Sequence, residues 1–339
     1  MILLTLLGFV VVGWTVLELG MTTLTVQGAG PLTSRVMQMI WTLCLKLFGR
    51  SPRRHTIFAM VGPLLLVLTA LTWYVGIWLG WWLIFLGSSD AIVNSSTNEP
   101  ASAVETLYFA GYTVTTLGLG DFKPSGPGWQ FLTAICAANG LLALTLSVTY
   151  LVPILSAAVE KRQLALTLHG IGGTPAGILR HAYDGTGFSR LDPVLGSVAS
   201  QIVGVGQQHL AYPALHYFHS TDSAAALPVR LAAFSEAIDL IASTTPGDKK
   251  PNALEIRRCQ EAIRSFLASL RTGHIRMADA EPPLPDRDAI SQMAIPVTVA
   301  EYAQDEAGKN DRRLLHSLVM SDGWRWDDVG SGVTQEPAS

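Results

Sequence analysis

Residues 115–121 read Thr-Thr-Leu-Gly-Leu-Gly-Asp. The useful chemistry of such a run lies in its backbone. A cation that sheds its water needs oxygens in exchange, and a short strand of carbonyls supplies them if successive C=O groups turn toward one axis. That arrangement requires positive φ at some positions, which glycine adopts without steric cost. Gly118 and Gly120 are spaced for it. Asp121, with Asp90, Glu99 and Glu105 nearby in the chain, would concentrate cations at one mouth of the strand.

Backbone carbonyls can do this only where protein excludes bulk water, so the flanking elements decide the reading. Of 339 residues, 14% are charged and 49% are hydrophobic, and the mean hydropathy is +0.34. A soluble domain carries about 25% charged residues. The charge is uneven: residues 1–157 hold 6 Lys/Arg and 5 Asp/Glu, residues 158–339 hold 17 and 21. The first part reads as membrane and the second as a soluble domain. Net charge is −3, which gives no electrostatic case for a nucleic-acid partner. Cys44, Cys136 and Cys259 are scattered and predict neither a disulfide framework nor a zinc site.

Ile57–Gly87 and Trp129–Ser156 contain no formal charge, and each is long enough to cross a bilayer. Met1–Val26 is a third apolar run, broken by Glu18. It has no cationic start and reads as a retained span rather than a signal peptide. Trp73, Trp78, Trp81 and Trp82 read as an aromatic belt at one interface. Arg35, Lys46, Arg50, Arg53 and Arg54 follow the first span, and Lys161 and Arg162 follow the third. The positive-inside rule therefore predicts an integral plasma (inner) membrane protein with residues 27–56 and 158–339 in the cytoplasm and the N-terminus outside. Arg35, Gln38, Thr42 and Lys46 recur at helical spacing within 31–56, which predicts an interfacial helix and basic linker.

Between the second and third spans, Ser102-Ala-Val-Glu105 is a possible capping box. It precedes about three apolar turns holding Leu107, Tyr108, Phe109, Ala110 and Tyr112. A helix this short cannot span and must enter and return, which is tolerated only where protein or water surrounds the irregular backbone. With this helix before it and spans on both sides, the 115–121 run resembles the potassium-channel superfamily, whose commonest filter reads TTVGYGD. The resemblance covers residues 57–157. Thr115, Thr116, Gly118, Gly120 and Asp121 match; Leu117 stands for Val and Leu119 for Tyr. Leucine in the second place resembles pore loops of two-pore-domain potassium channels.

The resemblance implies an all-α membrane protein of the pore-loop type, with outer helix, pore helix, filter and inner helix. Four copies surround one pore, because a single pore loop and no internal repeat are present. It implies Thr115, Thr116, Leu117, Gly118, Leu119, Gly120 and Asp121 as the filter, with Thr116 as the innermost site, and no cofactor or metal besides permeant K+. Tyr112, Phe109 and Glu105 are expected to support the filter. Leu119 lacks the hydroxyl that ties a filter tyrosine to the pore helix. Tyr112 is either a compensator reaching Asp121 or simple packing. Leu119 also motivates the alternative of a weakly selective or non-selective cation channel.

Gly140 lies twenty residues after Gly120, where the family's inner helix has its hinge glycine. Close helix packing is the other reading. Leu141, Leu144, Val148 and Val152 share one stripe, expected to line the cavity or an apolar gate, and Pro153 is expected to kink the helix. Glu18 either pairs with another helix or is solvated near an interface, the reading adopted. No span repeats Arg or Lys at every third position, so a voltage sensor is not expected.

Residues 158–328 predict a helical regulatory domain with helices at Val194–Ile202, Ala224–Ala242, Leu254–Arg271 and Val299–Leu318, and breaks at Pro246 and 281–285. Residues 329–339 read as a disordered tail. Gly170-Ile-Gly-Gly173 lacks the context of a nucleotide-binding loop. His209, His216 and His219 suggest a metal or pH sensor, with ordinary packing or surface histidines the preferred reading. The domain would bind an unidentified ligand or protein. Asn94-Ser95-Ser96 matches a glycosylation acceptor, a short match common by chance. No catalytic pattern emerges, so the chain is not read as an enzyme. A membrane scaffold or receptor with a vestigial pore is the remaining class.

Overall fold

The computed structural model describes residues 2–25, 30–271, 275–297, 302 and 304–330. It is an all-α membrane protein. In chain order it has helices α1 (Ile2–Leu24), α2 (Pro31–Phe48) and α3 (Arg54–Leu86), strand β1 (Ile92–Asn94), helix α4 (Ala103–Val114) and strand β2 (Phe122–Pro124). Helices α5 (Pro127–Ile171), α6 (Pro175–Ala182), α7 (Asp192–Ala211), α8 (Leu227–Thr244), α9 (Ala253–Arg271), α10 (Arg287–Ser291), α11 (Glu306–Ser321) and α12 (Asp327–Gly330) follow. Among the described residues α1, α3 and α5 are long and apolar enough to cross a membrane. The chain divides into two compact units, residues 1–39 with 64–154, and residues 40–63 with 155–339.

In the first unit α1 lies against α3 through residues too small to hold the backbones apart. A Cβ on Gly8 would meet the Gly80 carbonyl at 2.6 Å, and one on Gly76 would meet Thr15 Oγ1 at 2.6 Å. Without a hydrophobic driving force in lipid, such close approach is how membrane helices associate. Trp73 and Trp81 are buried, and Trp73 meets Tyr150 edge-on. Trp78 and Trp82 spend their indole N–H groups on carbonyls of α4. Of the residues of the expected aromatic belt, Trp73 and Trp81 are therefore interior packing, while Trp78 and Trp82 tie α3 to the short helix.

Glu18 also departs from expectation. It is buried, and its Oε1 accepts the Thr33 backbone N–H at 2.7 Å. The carboxylate thus sits at the N-terminus of α2, where orphan N–H groups and the helix dipole favour negative charge. Gly30 leaves room for it, since a Cβ there would collide with the Glu18 carboxyl. Along α2 the polar Arg35, Gln38, Thr42 and Lys46 are exposed, together with Met39, Leu43 and Leu47.

The second unit is built around α8, buried along almost its whole length. A helix apolar on all sides belongs in a core, and α6, α9, α11 and α12 pack on this one. Its two buried charges are both engaged. Arg230 donates to the carbonyls of Gly173 and Asp328, and Glu236 accepts from Arg312 Nε at 2.6 Å. The expected helices over 194–202, 224–242 and 254–271 correspond to α7, α8 and α9, with α7 extending nine residues further. The fourth begins at Glu306 rather than Val299; residues 298–301 and 303 lie outside the described residues. The expected tail boundary also moves, because Val329 is buried in α12; residues 331–339 lie outside the described residues.

Candidate functional site

The site begins with α4. Ser102 Oγ accepts from the Glu105 N–H, and Glu105 Oε2 accepts from the Ser102 N–H at 2.8 Å. This reciprocal box fixes the first turn. Glu105 supports the short helix from this end, at a distance along the chain from the 115–121 run. At the other end Thr115 Oγ1 donates to the Gly111 carbonyl at 3.0 Å. The N–H groups of Leu117 and Gly118 both turn back to the Tyr112 carbonyl, at 2.8 and 3.4 Å.

From there the backbone alternates. Thr116, Gly118 and Gly120 have φ of +56°, +58° and +84°. No Cβ at Gly118 or Gly120 would meet a neighbour within 4 Å, so glycine is needed there for conformation and not for space. Thr116 reaches the same region without that freedom. A non-glycine residue at positive φ is uncommon and costs of order 1–3 kcal/mol. Residues 115–121 are all exposed in the single chain, with Leu117 and Leu119 side chains unpacked.

Hydrogen bonds from outside the run hold this strand. Tyr112 Oη donates to the Phe122 carbonyl at 2.7 Å, so it does not reach Asp121 as the compensator reading required. Tyr108, one helical turn earlier, takes that role and donates to Asp121 Oδ2 at 3.2 Å. Both tyrosines lie on the same face of α4, and Tyr108 is the one level with the carboxylate. Ser95 Oγ donates to the Gly120 carbonyl at 2.6 Å and its N–H to the Asp121 carbonyl at 2.9 Å. The hairpin of β1 and β2 positions Ser95, pairing Asn94 with Phe122. Phe109 is buried against Phe85 and Tyr112. Asn94 of the glycosylation-like triplet accepts from the Ser96 and Thr97 N–H groups as a turn former.

Ser95 and Tyr108 were missed in the sequence. Nothing in the chain links Ser95 to a carbonyl twenty-five residues away; Tyr108 was visible as apolar helix only.

On α5, Gly140 packs directly on the Val114 carbonyl at the end of α4, leaving no room for a Cβ. The same carbonyl accepts from Tyr74 Oη at 3.2 Å. The helix runs unbroken through Gly140 and Pro153. Leu141, Leu144, Val148 and Val152 form an exposed apolar stripe in the single chain. Among the described residues no group of three or more His, Cys, Asp and Glu is gathered to hold a metal ion.

Comparison with known proteins fits this geometry. The family model described as an ion channel matches residues 57–157, the stretch from α3 through most of the apolar part of α5. "Uncharacterized membrane protein YdjJ" of Bacillus subtilis (strain 168) is 33% identical over 327 residues, covering 94% of this chain and 95% of that protein. No solved structure matches. The chain belongs to the membrane-protein family that includes YdjJ, and its residues 57–157 make it a member of the potassium-channel superfamily of pore-loop ion channels.

Proposed function

We propose that the protein is a homotetrameric, potassium-selective channel that passes dehydrated cations through carbonyls of residues 116–119. The observation that carries this reading is the alternation of positive φ at Thr116, Gly118 and Gly120. Only such a period-two strand turns successive carbonyls toward one axis. A single chain cannot close a ring of carbonyls. The exposed Leu141, Leu144, Val148 and Val152 stripe supports further copies around the pore. In this reading the N-terminus and residues 88–128 face outside and residues 158–339 face the cytoplasm of the plasma membrane, following the basic residues. The second unit regulates conduction.

Leu119 supports a second reading, a weakly selective cation pore. Against it stand the Ser95 and Tyr108 hydrogen bonds, which tie the outer end of the strand without a filter tyrosine. The reversal potential of the purified protein in a planar bilayer, potassium on one side and sodium on the other, separates the two. A value near the potassium equilibrium potential supports selectivity. A value near zero with measurable current supports the weakly selective pore, and absence of current from protein lacking residues 158–339 favours a scaffold.

A further inference from the structure

Four residues of the second unit form one hydrogen-bonded chain. Arg54 Nε donates to His55 Nε2 at 3.0 Å, His55 Nδ1 lies 2.8 Å from His219 Nε2, and His219 Nδ1 lies 3.2 Å from Asp322 Oδ2. The chain joins the first turn of α3, the segment after the turn Pro213–Tyr217 and Asp322, the residue that follows α11. Its aromatic setting is tight. His55 stacks on His219 at 5.0 Å and on Trp324 at 4.1 Å, and Phe58 meets His219 edge-on. Trp41 of α2 packs on Phe58 and donates its indole N–H to the Ser321 carbonyl at 3.0 Å. A Cβ on Gly323 would press on Phe58 at 2.8 Å.

The donor inventory fixes the protons. A guanidinium has donors and no acceptor, so His55 Nε2 must be bare and His55 carries its proton on Nδ1. That proton points at His219 Nε2, which must be bare in turn, so His219 carries its proton on Nδ1 and gives it to the Asp322 carboxylate. Every link is made only when both imidazoles are neutral. A proton added to His219 faces the His55 N–H, and a proton added to His55 faces the Arg54 N–H. Either addition turns one hydrogen bond into a contact between two donors.

The surrounding charges act in both directions. Arg54 and Asp322 act on His55, and Asp322 also acts on Lys161. Lys161 is buried and donates to the carbonyls of Leu215 and Phe218. Arg54 opposes a further proton on His55, and Asp322 favours one. The adjoining turn carries His216 and Tyr217, both buried, and Tyr217 stays neutral because burial pushes it up to about 12.

We infer that Arg54, His55, His219 and Asp322 form a proton-operated latch on the start of α3, closed when both histidines are neutral and released when one takes up a proton. Control of conduction by the latch rests on the channel reading; the latch itself does not. A histidine held neutral when latched and free when released titrates near its ordinary value of about 6.5 in the released form. Proton uptake then favours release by about tenfold between pH 7.5 and 5.5.

The test uses full-length protein in lipid nanodiscs and follows tryptophan emission from pH 7.5 to 5.0, since Trp324 stacks on His55. The reference is the double variant His55→Gln/His219→Gln, whose amides keep the order of acceptor and donor but do not titrate. Wild type is expected to show a transition below pH 6.5 that the double variant and Trp324→Phe both lack. A double variant that titrates like wild type overturns the latch. Cation efflux from vesicles is measured in parallel. An efflux rate that changes about tenfold over the same range, and not in the double variant, supports control of conduction. An emission transition with pH-independent efflux overturns that control and leaves the latch standing, and absence of efflux at every pH counts against the channel reading alone.

Discussion

The backbone of Gly140 lies against the carbonyl of Val114, so closely that no β-carbon fits between them. The inner helix thereby seats the exact turn from which the carbonyl strand departs. Gly140→Ala is expected to push α5 off α4 and lower cation flux at least tenfold, with loss of the proposed tetramer on native gels as a second readout. The double variant Gly140→Ala/Leu141→Gly restores a flexible point next door but not the space. It should stay as impaired as the single variant; recovery of flux would make Gly140 a hinge.

The outer end of the carbonyl strand depends on Ser95 and Tyr108. Ser95→Ala removes the donor to the Gly120 carbonyl, and Tyr108→Phe removes the donor to Asp121. A lost hydrogen bond of this kind costs about 0.5–1.5 kcal/mol, enough for a several-fold change. Each variant is expected to lower the potassium-to-sodium permeability ratio several-fold while leaving expression unchanged. Reversal potentials matching wild type in both would show that the strand holds its shape unaided.

Glu18 holds the start of α2. Glu18→Ala is expected to cost about 1 kcal/mol through the lost cap, read as a lower thermal midpoint in detergent. Glu18→Gln keeps an acceptor for the Thr33 N–H and should lose much less. Gly30→Ala should be at least as damaging as Glu18→Ala, because its methyl displaces the carboxylate altogether.

Two acids of α8 make stability fall as pH rises. Burial pushes Glu236 up to about 7, against the pull of Arg312, and burial pushes Asp239 up to about 6 despite a hydrogen bond from Gln260. Both values lie above those of the unfolded chain, about 4.3 and 3.9. The folded state therefore binds more protons than the unfolded state between pH 4 and 7, and stability declines over that window as pH rises. The thermal midpoint of the full-length protein is expected to drop by several degrees from pH 5 to pH 7.5, and less in Asp239→Asn. A midpoint that rises over the same range would contradict this.

Local chemistry was legible in the chain where the responsible residues are neighbours. The Ser102–Glu105 box, the positive φ at Gly118 and Gly120, the three spans and the helices over 194–202 and 254–271 all follow from short-range pattern. The positive φ at Thr116 was not legible, since threonine carries no signal for it. Ser95 with Gly120, Glu18 with Thr33 and His219 with Asp322 are pairs separated by 25, 15 and 103 residues, and single residues at such distances leave no periodicity to read. The tryptophans of α3 misled for a related reason. An indole at a membrane interface and an indole hydrogen-bonded to a neighbouring helix look the same in sequence.

The glycine seam between α1 and α3 bears on how the protein is made. Gly8, Gly76 and Gly80 join two helices by close approach, and among the described residues no salt bridge links them. Each helix can leave the translocon on its own and find the other later by lateral diffusion. Co-expression of residues 1–25 and 30–339 as separate polypeptides should therefore yield an assembled protein that purifies as one species.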